Sequence, residues 1–444
     1  MPYPTAFSRA VRISGFVLLG MVVLMIIAIV YGFLAPLRMN YVWKSEDQGR
    51  CVASQPAPAD TFVGLALSGG GSRAAIFGAA GMQALDEAGI LDQITHVSSV
   101  SGGGFPASYL ALKALPDCAP GTPCRAAFFD TMMARLQKNY FRRMMGNQVI
   151  HPNRAFSPSR RVTSLQNALD HPDFLDGKTF GDLTTARQFY FNGVSYDFGR
   201  RFVFSNAPVP DPADDPAMPL ASPLRTLSFS APNCMAKTPD DLPISLAVAT
   251  SAAFPPVLGP VTIQVPAADK GQRDQYWHLG DGGVIENTGV ETLQEAAIRA
   301  ARANPAIGKA IILSFNAGLR LDPETSVHDP DPSLWSRDPG RLVDVANARA
   351  EAFRAGFLAR AGDQFGVEIE VIEFDYLDAR DVPWPIAECG AHNSRDDQAE
   401  LRRVPTDLTI TACHAALMKA AARKLVSAAL RDGGALAGLA ASAQ

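Results

Sequence analysis

Short apolar runs alternate with stretches of helical period along this chain, and the order of the blocks predicts an architecture. "FVGLALS" (62–68) is an apolar run of strand length. From Arg73 to Ala88 the spacing turns helical, with Ile76, Ala80, Met82 and Leu85 inward and Gly89 as the stop. "ITHVSSV" (94–100) reads as a second strand. Residues 102–115 read as a second helix, with Pro106 tolerated in the first turn, where its missing N–H costs nothing. Strand, helix, strand, helix at this spacing predicts a parallel sheet with crossover helices. Further on, 187–205 is a pair of β-rich runs about a polar turn, and "LPISLAVATSAAFPP" is a buried helix closed by prolines. "QYWHLGDGGVIEN" is a strand entering a glycine turn. "KAIILSF" (309–315) and "VEIEVIEF" (367–374) are strands; helices are expected at 288–303, 340–361 and from Asp407 to Arg431.

One segment breaks the pattern. Ile13 to Leu37 carries no charged side chain over 25 residues. That is enough for a helix to cross a hydrocarbon layer roughly 30 Å thick. A cleaved signal peptide would have a shorter apolar run, about 7–15 residues, ending in a small-residue cleavage site; this run ends in Pro36, Leu37 and Arg38. The reading is a retained signal anchor at 13–37, a short tail at 1–12, and a polar, proline-bearing tether at 38–60. A single folded domain follows at 61–432, with insertions near 125–185, 206–240 and 375–405, and a flexible tail at 433–444. Arginines 9 and 12 precede the span while Arg38, Lys44 and Arg50 follow it, so positive charge sets no orientation.

The 444 residues are 47% apolar and 19% charged, a globular composition. A net charge of −4 offers no general footprint for nucleic acid. Six cysteines are present. Cys118 and Cys124 bracket a turn-rich loop that a disulfide could close. Pairing of Cys389 with Cys413 is open, since free buried cysteines also occur. The cysteines favour a bulk domain outside the cytoplasm, in an oxidising compartment. No ligand-like spacing calls for a metal.

Chemistry concentrates at three glycine-rich turns. "LALSGGGSRAA" places Gly69, Gly70 and Gly71 between a strand and a helix, where backbone N–H groups and the helix dipole favour an anion. No Lys-Ser/Thr follows, and the spacing misses the dinucleotide fingerprint, so a nucleotide is not expected. "SSVSGGG" puts Ser101 at a strand-to-helix turn with Gly102 and Gly103 behind it, close to a nucleophile elbow, although a plain turn would read alike. "GDGG" holds Asp281 between Gly280 and Gly282 at another strand end.

"GGGSR", "SVSGG" and "DGG" in this order resemble the patatin-like phospholipase family. "LPISLAVATSAAFPP", "RRFVFS" and "IENTGV" resemble further stretches of it. The resemblance covers about 61–320 closely and 340–430 loosely. It implies a three-layer α/β/α fold with a mainly parallel sheet and a Ser–Asp dyad. Ser101 is then the nucleophile and Asp281 its base. Gly69, Gly70 and Gly71 form the oxyanion hole, Arg73 stands at the family's basic position, and Gly102, Gly103 and Gly282 are supporting. Ser99, Ser68 and Ala74 depart from the family's usual Gly, Asp and Gly. No cofactor is implied. The implied substrate is a phospholipid or lysophospholipid, cleaved at a fatty acyl ester at a membrane bilayer.

His278 and His96 precede the two candidate residues closely and could make a triad instead, as in other esterases and thioesterases. A membrane-tethered lipid-binding protein without catalysis is the other alternative. A carboxylate is a poor base for an alcohol unless desolvated, so a dyad calls for an apolar pocket. Residues 125–161 carry eight Lys or Arg against one acid, Asp130, and "NYFRRMMGNQVI" mixes Arg142 and Arg143 with apolar side chains. This is either a lipid-facing patch or a solvated helix face.

Overall fold

The computed structural model describes residues 6–34, 39–44, 61–155, 157–209, 226–231, 234–235, 237–255, 257–267, 271–318, 345–352, 354, 356, 366–390 and 397–442. The domain is mixed α/β, with a central sheet flanked by helices. Its first unit is β2 (Phe62–Leu67), α2 (Gly71–Glu87), β3 (His96–Val100) and α3 (Gly104–Leu112), following β1 (Tyr41–Val42) and the N-terminal helix α1 (Ala6–Leu34). Three helices occupy the expected insertion: α4 (Pro123–Leu136), α5 (Tyr140–Ile150) and α6 (Pro158–Leu169). Then come β4 (Gln188–Ser195) and β5 (Arg200–Ser205), a hairpin, and the two-residue pair β6 (Ser230–Ala231) and β7 (Cys234–Met235). After α7 (Ile244–Ser251), β8 (Val261–Val265) and β9 (Gln275–Asp281) form a second hairpin. The chain continues through α8 (Val290–Ala303), β10 (Lys309–Asn316) and β11 (Glu368–Asp375).

The sheet order is β1-β8-β9-β4-β3-β2-β10-β11, with β5 also on β4. From β4 to β11 the strands are parallel, and β9, β8 and β5 join antiparallel, so the sheet is mainly parallel with an antiparallel part at one side. Strand alternation sorts side chains to two faces. Val63, Leu65 and Leu67 of β2 enter the larger core with α2, while Phe62 and Ala66 pack with Val290, Leu293 and Ala297 of α8.

Several boundaries differ from the sequence reading. Part of the expected tether, Tyr41 and Val42, adds an edge strand in parallel to β8, and Trp43 buries against Phe229 and Trp277; residues 45–60 lie outside those described. Polarity hid this, because two residues suffice when a neighbouring strand supplies the register. The last long helix, Ala412–Arg431, begins after the expected Asp407, with Thr411 as its N-cap accepting from His414 N–H. Residues 404–411 instead run as a strap. The tail is corrected too: Ala435–Ser442 is helical and buries Leu436 and Leu439. The expected helix 340–361 is described as helical at 345–352, 354 and 356 only.

The expected span at 13–37 is also revised. The helix α1 takes in Arg9 and Arg12 and ends at Leu34. Among the described residues no helix is long and apolar enough to cross a membrane. Both cysteine pairs raised by the sequence are disulfides, Cys118–Cys124 and Cys389–Cys413.

Candidate active site

The chain leaves β3 at Val100 and turns at Ser101, whose φ of 48° lies in the left-handed region. Such a conformation is costly for a residue with a Cβ and persists only where its surroundings enforce it. Here Ser101 N–H donates to Ser251 Oγ at 2.8 Å, and the Ser251 hydroxyl donates to the Asn192 carbonyl at 2.5 Å. Gly102 and Gly103 are required by close approach: a Cβ on the first would collide with the Gly71 carbonyl oxygen, and on the second with that of Leu67. The elbow is thereby pressed against the first glycine turn.

In that turn Gly70 (φ 140°) and Gly71 (φ 59°) adopt conformations that side chains disfavour. Gly69 adjoins the elbow, since a Cβ on it would lie 3.3 Å from the Ser101 Cβ. Its N–H, however, donates to the Asn287 carbonyl at 2.9 Å, so it is spent. No described residue takes the N–H of Gly70 or Gly71, and both residues line the cavity beside Ser101. The expected trio of donors thus reduces to two, at the start of α2.

Sheet register brings the acid to the serine. On one edge of β4, Asn192 pairs with Val100 and the next residue, Gly193, pairs with Asp281, the last residue of β9, while β5 holds the other edge. The ends of β3 and β9 therefore meet on that edge, which sets the Ser101 hydroxyl beside the Asp281 carboxylate. The carboxylate accepts Gly283 N–H at 2.7 Å. Burial raises the Asp281 pKa to about 7, against the lowering effect of the Gly283 amide and the Ser101 hydroxyl. Gly282 permits the packing, as a Cβ there would stand 2.6 Å from the Asn192 carbonyl oxygen.

Arg73 is placed differently from its expected role as a basic site residue. Although it lines the cavity, it is 1% exposed; its Nε donates to the Ala317 carbonyl at 2.9 Å and its Nη1 to the Val404 carbonyl at 2.8 Å. Its guanidinium lies 5.2 Å from the Tyr376 ring centroid. It clamps the end of β10 and the 404–411 strap onto the glycine turn. Ser72 N–H donates to the Asp407 carbonyl at 2.6 Å in the same junction.

The histidines stand away from the site. His96 begins β3, at the opposite end from Ser101, stacked on Phe62 at 4.3 Å and bonded to Thr95, with burial lowering its pKa to about 3. His278 pairs with Asp197 at 2.9 Å on the exposed side of β9. No triad forms. Among the described residues no group of three or more His, Cys, Asp or Glu is placed to hold a metal ion.

The three turns open into a cavity of about 440 Å³. Phe105, Phe141, Met144, Phe254, Val257 and Leu258 supply an apolar wall, with Ser101 and Asp281 at its polar end. Sequence reasoning missed Ser251, which sits within "VATSAAFPP", and the side chains of Asn287 and Asn347 in the lining. The only signal for Ser251 was its place in a small-residue run before a proline pair, which specifies packing and not partners.

No curated protein matches the sequence. Similar solved structures include human GIVD cytosolic phospholipase A2, at 13% identity and a TM-score of 0.45, covering 86% of this chain and 61% of that one. The same human protein in complex with methyl gamma-linolenyl fluorophosphonate gives 13% identity and a TM-score of 0.46, covering 95% and 63%. This chain thus spans about three fifths of those structures' length. Residues 65–293 match the model of the patatin-like phospholipases, a stretch that runs from the first glycine turn past the Asp281 turn and takes in half the sequence, and the chain belongs to that family.

Proposed function

We propose that this protein is a membrane-anchored serine acyl hydrolase that cleaves fatty acyl esters of phospholipids or lysophospholipids through an acyl-Ser101 intermediate. The observation that carries the reading is the Ser101 side chain set beside Asp281 in the cavity wall, a buried carboxylate whose pKa burial has raised to about 7. At its ordinary value near 4 a carboxylate is too weak a base; near 7 it can take a proton and return it.

Ser101 Oγ attacks the ester carbonyl carbon while its proton passes to Asp281. The carbonyl oxygen becomes an oxyanion facing the N–H groups of Gly70 and Gly71, donors fixed before the charge develops. The tetrahedral intermediate collapses, the C–O bond to the alcohol breaks, and Asp281 returns the proton to the departing oxygen. Water then attacks the acyl-serine, gives its proton to Asp281, and the fatty acid leaves as Ser101 regains the proton. An apolar wall from Phe105 to Leu258 suits an acyl chain and excludes the water that would lower the basicity of Asp281.

Membrane association belongs to the same proposal, supported by the uncharged run Ile13–Leu37 and the exposed apolar side chains described along α1. Two disulfides favour an oxidising compartment for the domain.

The test is a fluorophosphonate probe together with Ser101→Ala and Asp281→Asn, each assayed on a chromogenic ester and on labelled phospholipid. The expected result is probe labelling of the native protein, none of Ser101→Ala, and loss of turnover by at least about 10³-fold in both variants. Absence of labelling would favour a lipid-binding protein without catalysis.

A further inference from the structure

Outside α1, half of the exposed large apolar side chains among the described residues gather at one edge of the domain. On α5, Phe141, Met145 and Val149 recur every fourth residue and are 46%, 41% and 79% exposed, with Ile150 next at 74%. The opposite face of the same helix is satisfied: Tyr140, Met144 and Gln148 are buried. Val257, 55% exposed, continues the patch from the loop after α7. Phe141 and Val257 also line the cavity, so the apolar row runs without interruption into the chamber that holds Ser101.

Charge points the same way. Between Asp130 and Asp170 the chain contains no acidic residue, and it carries Arg135, Lys138, Arg142, Arg143, Arg154, Arg160 and Arg161. Arg143 is committed to Asp173, at 2.9 and 2.6 Å, so the expected use of both adjacent arginines on lipid is corrected. Arg142 is exposed beside the apolar row. The turn Pro152–Arg154, which follows α5, packs against α1. Apolar row, cationic surround and N-terminal helix therefore share one side of the molecule.

We infer that the exposed face of α5, with Val257, is a docking rim for an anionic phospholipid bilayer, seating the cavity mouth on the lipid so that an acyl chain passes from membrane to Ser101 without crossing water. The inference rests on the lipid-ester reading for its purpose, but the docking itself is separately measurable. Apolar side chains at the headgroup boundary supply partition energy, and nearby cations add attraction to anionic lipid.

The test uses the full chain reconstituted with phosphatidylcholine–phosphatidylglycerol vesicles. Met145→Ser and Val149→Ser/Ile150→Ser are expected to lose about tenfold in hydrolysis of vesicle-borne phospholipid while keeping turnover of a monomeric short-chain ester within about twofold. Val149→Trp, which keeps the patch apolar, is expected to gain indole fluorescence that brominated lipid quenches. An unquenched indole at 149 overturns the inference, as does wild-type hydrolysis of vesicle lipid by the polar variants. If the polar variants lose both activities, quenching at 149 decides. If the native protein cleaves the short ester but no phospholipid, the lipid-substrate reading fails, and quenching at 149 still tells whether the rim docks.

Discussion

The backbone N–H of Ser101 donates to the hydroxyl of Ser251, which in turn donates to the Asn192 carbonyl. The relay fixes the one residue of the elbow that has a Cβ and a positive φ. It continues outward, because the Asn192 side chain donates to Ser98 Oγ at 2.8 Å and accepts from Thr292 Oγ1 at 2.5 Å. Ser251 is therefore a positioning residue, acting through the main chain of Ser101.

Replacing Ser251 by alanine leaves a buried N–H and a buried carbonyl without partners. Each unsatisfied group costs about 1–3 kcal/mol, and an elbow relaxing toward an ordinary φ would escape part of that cost by moving the nucleophile. Ser251→Ala is expected to lower kcat about 10- to 100-fold with KM little changed, a split that a general loss of stability would not produce. Ser251→Thr, which retains the hydroxyl, should recover part of the loss. Steady-state kinetics on a soluble ester, with the fluorophosphonate labelling rate, check both.

The elevated pKa of Asp281 makes two linked pH predictions. Its carboxylate must be ionised to accept the Ser101 proton, so kcat/KM should rise with pH to a plateau above about 7, falling about tenfold per pH unit on the acid side. Stability should run the other way. Between about 4 and 7 the folded protein keeps a proton that the unfolded chain has released, so this contribution is complete below about pH 4 and is lost as pH rises through 7. Asp281→Asn is consequently expected to melt above the native protein at pH 8 and close to it at pH 4, by calorimetry, while remaining inactive.

Much of this site was readable in advance because it depends on residues that few alternatives can replace. Ser101, Asp281 and the glycines announce themselves where strands end, since sharp turns with backbone-to-backbone contact admit little else. The register that brings Val100 and Asp281 next to each other on one edge of β4 was not readable, because β9 joins antiparallel and pairing is set by long-range packing. The same limit hid the commitment of Gly69 N–H to Asn287 and turned Arg73 from a basic site residue into a clamp. A glycine turn specifies which amides can point at an anion, but not which a neighbouring loop will claim.

That clamp can be tested by Arg73→Met, which keeps much of the side-chain volume and removes the donors. The Ala317 and Val404 carbonyls lose their partners, and the cation leaves the Tyr376 ring. A loss of about 2–4 kcal/mol in stability is expected from two buried acceptors. The strap should loosen before the sheet does, so limited proteolysis near 404–411 is expected to accelerate ahead of global unfolding. A variant as stable and as resistant as the native protein would return Arg73 to a role in the cavity itself.

The glycines offer a paired comparison in which only local space differs. At Gly102 an added methyl group has nowhere to go, because the Gly71 carbonyl occupies its position, and displacing that carbonyl would shift the very turn that presents the Gly70 and Gly71 amides. Gly102→Ala is expected to abolish turnover and to cost at least about 2 kcal/mol through backbone displacement. Gly146, in the middle of α5, has nothing within 4 Å of an added Cβ. There alanine only removes conformational freedom from the unfolded chain, so Gly146→Ala is expected to gain about 0.5–1 kcal/mol and leave ester turnover unchanged. Denaturant midpoints for the two variants should move in opposite directions; parallel movement would mean that the elbow and the first glycine turn are not in the contact described.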